Sequence, residues 1–148
     1  MFFIKQSEII KKVNNQKFRK KIINHTLQNR CCLQINCTHP KHQSNANLHL
    51  SIDVFKQSIL KELNFNIKKL WSFFVPKGSK TLESWHQHGE CISCLMYLTE
   101  NDLVTKFENF EIKLKPNNWL VWDENLLHTP EEGIVKKDRL VIAGTLEK

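Results

Sequence analysis

Apolar residues recur at helical intervals early in the chain and gather into short blocks later. Ile9, Ile10, Val13, Ile22, Ile23 and Leu27 are loosely spaced as on a helix within residues 4–28. Residues 29–47 are a polar, Asn-rich connection. Val54, Phe55, Ile59, Leu60 and Leu63 then form one helical stripe, and Ser51 is placed as its N-cap, where a hydroxyl accepts an unpaired first-turn N–H. After Asn66 the texture changes. Segments 67–75, 81–88, 91–98, 103–108, 110–114, 119–122 and 139–145 are rich in Val, Ile, Phe, Trp and Leu and are separated by turn residues. Such spacing suits an antiparallel sandwich or small barrel. The pattern predicts an α+β unit with helices first and roughly seven or eight strands after them.

Composition adds bounds. A chain of 148 residues fits one domain able to bury a core. No apolar run approaches the roughly 18 residues of a membrane span, and MFFIKQSEII lacks the small-residue cleavage site of a signal peptide. Five cysteines, an odd number, argue against a disulfide framework and for a reducing, cytoplasmic setting. The net charge of +7 is concentrated. Residues 1–30 hold eight Lys/Arg against Glu8 alone, and the remainder is balanced. This divides the chain into a basic helical N-terminal arm, 1–30, and a β-rich domain with its supporting helix, 31–148. The arm can offer weak contact to a polyanion by phosphate neutralisation, although a solvated lysine-rich face is the plainer reading and aromatic residues are sparse there.

The candidate chemistry lies in SWHQHGECISCLMYL, residues 84–98. His86 and His88 stand two apart, which on a strand points both imidazoles to one face. His128 follows the strand-like segment 119–122 after a short loop, and Arg139 opens the last apolar segment. Two ligands on one strand, a distant third and a later cation fit a mononuclear non-haem iron site with a carboxylate co-substrate. Glu90 offers an alternative ligand, because His88-Gly-Glu90 is also a pair of the same parity. Cys91 and Cys94 form a CxxC, yet their flanks read as strand rather than helix start, so they are expected as buried structural thiols. Cys32, Cys37, His39 and His42 match no common zinc spacing. Trp85 and Trp122, beside the proposed ligands, are candidates to line a pocket.

Residues 71–145 resemble the double-stranded β-helix (jelly-roll, cupin-like) core of the Fe(II)/2-oxoglutarate-dependent oxygenases, especially the prolyl-hydroxylase-like branch and small phage and bacterial relatives. FFVPKGSKTLESWHQH resembles the strands leading into the first ligand pair, CISCLMYL the strand after it, and WLVWDENLLHTPEEGIVKKDRLVIAGT the distal-histidine and arginine strands. The resemblance implies Fe(II) on three protein ligands, 2-oxoglutarate as co-substrate, O2, and an unidentified primary substrate that is hydroxylated. Arg139 would pair with the far carboxylate of 2-oxoglutarate, and Tyr97 would add a hydroxyl donor. His88 stands where the family usually has Asp or Glu. Three neutral imidazoles leave the metal its full dipositive charge, which favours an anionic co-substrate. Two ligand sets stay open, His86/His88/His128 and His88/Glu90/His128. Two other functions also stay open: a cupin-like three-histidine metalloenzyme that does not use 2-oxoglutarate, and a non-catalytic β-sandwich binding module. Against the cupin reading, the zone where a cupin glutamate would follow the histidine pair holds Ile92 and Ser93.

Overall fold

A computed structural model describes residues 1–30, 42–89, 91–123 and 125–147. The chain opens with strand β1 (Phe2–Gln6) and helices α1 (Glu8–Val13) and α2 (Gln16–Gln28). Strand β2 (His42–Gln43) precedes the short helix α3 (Leu48–Ser51) and α4 (Asp53–Ser58), which a wider π-helical turn, Ile59–Leu63, continues. Nine strands follow: β3 (Asn66–Val75), β4 (Lys80–Thr81), β5 (Ile92–Tyr97), β6 (Thr105–Phe107), β7 (Glu111–Ile112), β8 (Asn118–Trp122), β9 (His128–Pro130), β10 (Gly133–Ile134) and β11 (Arg139–Glu147).

The strands form a double-stranded β-helix. One layer is an antiparallel sheet in the order β1-β8-β5-β11-β3-β2, and the other contains β7-β6-β9 and β10-β4. Side chains alternate across each strand, so the main sheet feeds two cores. Leu70, Phe74, Met96, Trp119 and Ile142 meet Ile10, Ile22, Phe55 and Ile59 of the helices. Leu95, Tyr97, Leu120, Trp122, Val141 and Ala143 fill the space between the layers with Phe107 and Leu114. All six residues of β5 are buried, as a continuous apolar run covered on both faces requires.

Three local expectations are corrected. Ser51 ends α3 rather than capping the next helix; α4 starts at Asp53 after an extended Ile52 and has no side-chain cap. Leu48 is fully buried, and that burial draws a helical turn in ahead of the expected start. Residues 81–88 are not a continuous strand. Leu82 and Trp85 lie exposed, and only Lys80–Thr81 and a single bridge between His86 and His128 find partners. Residues 2–6, included only in part in the helical segment, are an edge strand whose five residues pair with β8.

The first thirty residues also build the main core through Ile10 and Ile22. A buried polar knot anchors them. Ser7 Oγ accepts the Ile10 N–H as the N-cap of α1, and the Glu62 carboxylate accepts the Glu8 and Ile9 N–H groups and the hydroxyls of Ser7 and Ser58. Trp119 Nε1–H donates to Ser58 at 2.9 Å, tying the knot to the sheet. Lys11, Lys12, Lys17, Lys20 and Lys21 are exposed on the outer helix faces. Among the described residues, no helix is long and apolar enough to cross a membrane.

Candidate metal centre

His86, His88 and His128 converge between the layers, with one ring nitrogen from each within 4.8 Å of the others. The backbone explains the convergence. The His86–His128 bridge, with reciprocal N–H···O bonds of 3.0 Å, holds the two backbones side by side. Ser84 N–H donates to Thr129 Oγ1 at 2.6 Å, and the Lys106–Glu83 ion pair holds the preceding loop against β6. Gly89, at φ +80°, turns the chain from His88 into β5 through a conformation that favours glycine.

The ring nitrogens are set for metal. His86 Nδ1–H donates to the Ser84 carbonyl at 2.7 Å, and His128 Nδ1–H donates to the Leu126 carbonyl at 2.9 Å. A carbonyl only accepts, so each bond places the proton on Nδ1 and leaves the Nε2 lone pair free. His88 Nε2 and His128 Nε2 lie 3.1 Å apart. Two nitrogens about 2.1 Å from one ion at a right angle stand about 3.0 Å apart, so this pair matches an octahedral edge. Burial, together with repulsion from His128 and His86, pushes His88 down to about 4. Burial likewise lowers His128, with repulsion from His86 adding to it, although the bond to Leu126 works the other way. His88 and His128 are therefore neutral near pH 7, the protonation state that ligation needs. Trp71 stacks on His88 at 5.5 Å between ring centres, and Trp122 sets its edge to His128 at 5.2 Å.

Arg139 lies in the same inner cavity, of about 50 Å³. It is 4% exposed, its Nε has no hydrogen-bond partner, and it forms no ion pair among the described residues. The nearby acids are engaged elsewhere: Asp138 accepts the Lys77 N–H, Glu131 the Val104 N–H, and Glu132 pairs with Lys80. Val141 and Ala143, on the same face of β11 as expected, extend the cavity wall.

The other candidate residues fall into place unevenly. Tyr97 is fully buried behind the cavity, with its ring 5.2 Å from the Arg139 guanidinium carbon and its hydroxyl bonded to Thr105 Oγ1 at 2.5 Å. Thr105, absent from the sequence reading, lines the cavity instead. Its signal was weak, since a threonine in a short segment is ordinary strand composition. Trp122 lines the cavity, whereas Trp85 is exposed. Glu90 lies outside the described residues, as do Cys32, Cys37 and His39. Cys94 is buried, and burial with Cys91 beside it pushes its thiol far up. Cys91 departs from expectation. It is only half-buried, because it precedes β5, and its Sγ–H donates to the His88 carbonyl.

No protein-family model and no curated protein matches this chain in sequence. Solved structures match it in fold. The viral collagen prolyl hydroxylase of Paramecium bursaria Chlorella virus-1, in a 2-oxoglutarate complex, has a TM-score of 0.64 at 12% identity over 98% of this chain and 94% of its own. HygX from Streptomyces hygroscopicus, with nickel and 2-oxoglutarate bound, has a TM-score of 0.64 at 11% identity over 99% of this chain and 82% of its own. A prolyl-4-hydroxylase from Pseudomonas putida has a TM-score of 0.56 at 11% identity over 99% and 92%. The likeness is one of fold, and it agrees with the double-stranded β-helix expected for residues 71–145.

Proposed function

We propose that this chain is an Fe(II)- and 2-oxoglutarate-dependent oxygenase acting on a substrate C–H bond. His86, His88 and His128 hold the metal, and Arg139 with Thr105 receives the far carboxylate of 2-oxoglutarate. The observation that carries the reading is Arg139. An unpaired buried guanidinium costs several kcal/mol by order of magnitude, and a carboxylate ligand removes that cost. A guanidinium is also the side chain best shaped for bidentate carboxylate binding.

The chain's residues divide the work. The two Nδ1–H bonds aim the Nε2 atoms of His86 and His128, while Trp71 and Trp122 fix the planes of His88 and His128. Tyr97 supports the co-substrate pocket from behind, its ring against the guanidinium and its hydroxyl against Thr105. Val141 and Ala143 leave room beside the co-substrate and keep water from the cavity wall. Iron bound here would supply dioxygen activation coupled to decarboxylation of the keto acid. Two of the fold neighbours carry 2-oxoglutarate, which supports that choice of co-substrate.

The test is an anaerobic titration of metal-free protein with Fe(II), then 2-oxoglutarate, followed by visible absorption. The expected result is the iron-to-keto-acid charge-transfer band, lost in Arg139→Met at the same 2-oxoglutarate concentration, with metal binding itself lost in His88→Ala. Metal binding without a band would overturn the 2-oxoglutarate reading in favour of the cupin-like one. Failure to bind metal would leave a binding module.

A further inference from the structure

Beyond the imidazoles, at the end of the barrel away from Arg139, lies an open groove of about 470 Å³ with its own chemistry. His86 and His88 form its boundary with the inner site, and Trp71, Thr145, Lys68 and Lys69 form its wall. Consecutive strand residues normally point to opposite faces. Here β3 carries an irregularity. Thr145 pairs with Lys69 and Leu146 with Ile67, so Lys68 is an extra residue in the ladder. A one-residue bulge re-aims the side chains around it, and both lysines line the same groove. Among the described residues, neither has a carboxylate partner and no Asp or Glu lines the groove.

Two deeper groups point the same way. Thr145 is 7% exposed, and its buried Oγ1 has no hydrogen-bond partner among the described residues. Trp71 Nε1, which can only donate, is also buried without a partner among them. The wall offers two ammoniums, an indole N–H and a hydroxyl as donors, and its other polar side chains outside the histidines, those of Gln43, Ser44 and Gln87, are neutral. Such a wall is complementary to an oxyanion.

We propose that the primary substrate carries a carboxylate or phosphate that binds Lys68, Lys69, Trp71 Nε1 and Thr145 Oγ1, which sets its adjacent carbon toward the histidine cluster. The word substrate rests on the oxygenase reading; the anion site does not require metal. The anion has two possible sources, a free small molecule or an acidic side chain on a polypeptide.

The experiment uses metal-free, ¹⁵N-labelled full-length protein and follows the Trp71 indole N–H resonance, identified by its loss in Trp71→Phe. The probes are citrate, inorganic phosphate, a hexapeptide rich in Asp, and the same hexapeptide with Asn for Asp. An oxyanion probe is expected to shift the resonance, and Lys69→Glu to weaken that binding about tenfold. Lys20→Glu, the same charge change on α2, is expected to leave it unchanged. Binding of the acidic peptide alone assigns the anion to a polypeptide, and binding of citrate or phosphate alone assigns it to a small molecule. The proposal is overturned by an unmoved resonance, by equal binding of the Asn peptide, or by Lys20→Glu matching Lys69→Glu. Because no metal is present, these outcomes are separate from the iron titration: a charge-transfer band with a silent groove would retain the oxygenase and sink the anionic substrate.

Discussion

His86 and His128 use the same local device, an Nδ1–H bond to the carbonyl two residues earlier. It needs no partner from elsewhere in the chain, so each ligand carries its own tautomer control. At the Arg139 end of the cavity the proposed co-substrate contact rests instead on Thr105, a hydroxyl that Tyr97 reaches from behind. Thr105→Val is nearly isosteric and removes only that hydroxyl. It is expected to weaken 2-oxoglutarate binding about tenfold, of the order of one charged hydrogen bond, while leaving metal affinity unchanged, as calorimetry of each ligand would show. Glu62 carries a different prediction. Burial alone would raise its carboxyl, but the hydroxyls of Ser58 and Ser7 and the N–H groups of Ile9 and Glu8 outweigh burial and hold it below the ordinary value. A carboxyl depressed in the folded state stabilises the fold above its unfolded pKa and loses that contribution as pH falls through the folded value. Denaturant titrations should therefore find Glu62→Gln destabilised by about 1–3 kcal/mol near pH 7. The gap to the parent chain should narrow as pH falls from about 5 toward 3. The three histidines were readable from residue type and spacing. Thr105 and the Glu62 knot were not, because each gains its meaning from a partner distant in the sequence.

The central element is β11, which pairs with β3 on one side and β5 on the other. Gly144 allows the close packing beside the bulge. A Cβ there would stand 2.5 Å from the Lys69 carbonyl oxygen and 2.7 Å from Leu70. Backbone cannot step aside as a side-chain tip can, so Gly144→Ala should cost about 1–3 kcal/mol by overpacking. It should also disturb the groove, read as a lower unfolding midpoint together with a changed Trp71 indole resonance. The long apolar strands were legible from their runs of β-branched and aromatic residues. The two-residue strands β2 and β10 and strand β1 were not, whereas β7 lies within the expected segment 110–114. Phe2–Gln6 becomes a strand only because β8 offers it an open edge, and His86 enters a bridge only because His128 lies opposite.

For the molecule as a whole, the main sheet separates a structural core under the helices from a chemical core between the layers. The basic N-terminal region belongs to the first, since Ile10 and Ile22 are fully buried there. A chain lacking residues 1–30 would expose Phe55, Trp119 and the edge of β8 that β1 pairs with, and it is expected to lose cooperative thermal unfolding. If that shortened chain unfolds with the parent midpoint, residues 1–30 are a detachable arm. Metal should act on the second core. Ligation of the folded state alone at about one hundred times Kd adds about 2.7 kcal/mol, seen as a higher Tm that a chelator reverses. Sequence by itself determined the fold class, a helical region ahead of the main run of strands, the candidate ligands and the candidate cation, because apolar periodicity and residue chemistry are local properties. Only the tertiary structure decided that three imidazoles meet, that Arg139 has no counter-charge among the described residues, that Thr105 rather than Tyr97 faces the cavity, and that two adjacent lysines share one groove. Each of those depends on strand register and on which groups are excluded from water, and both are set when distant segments pack together.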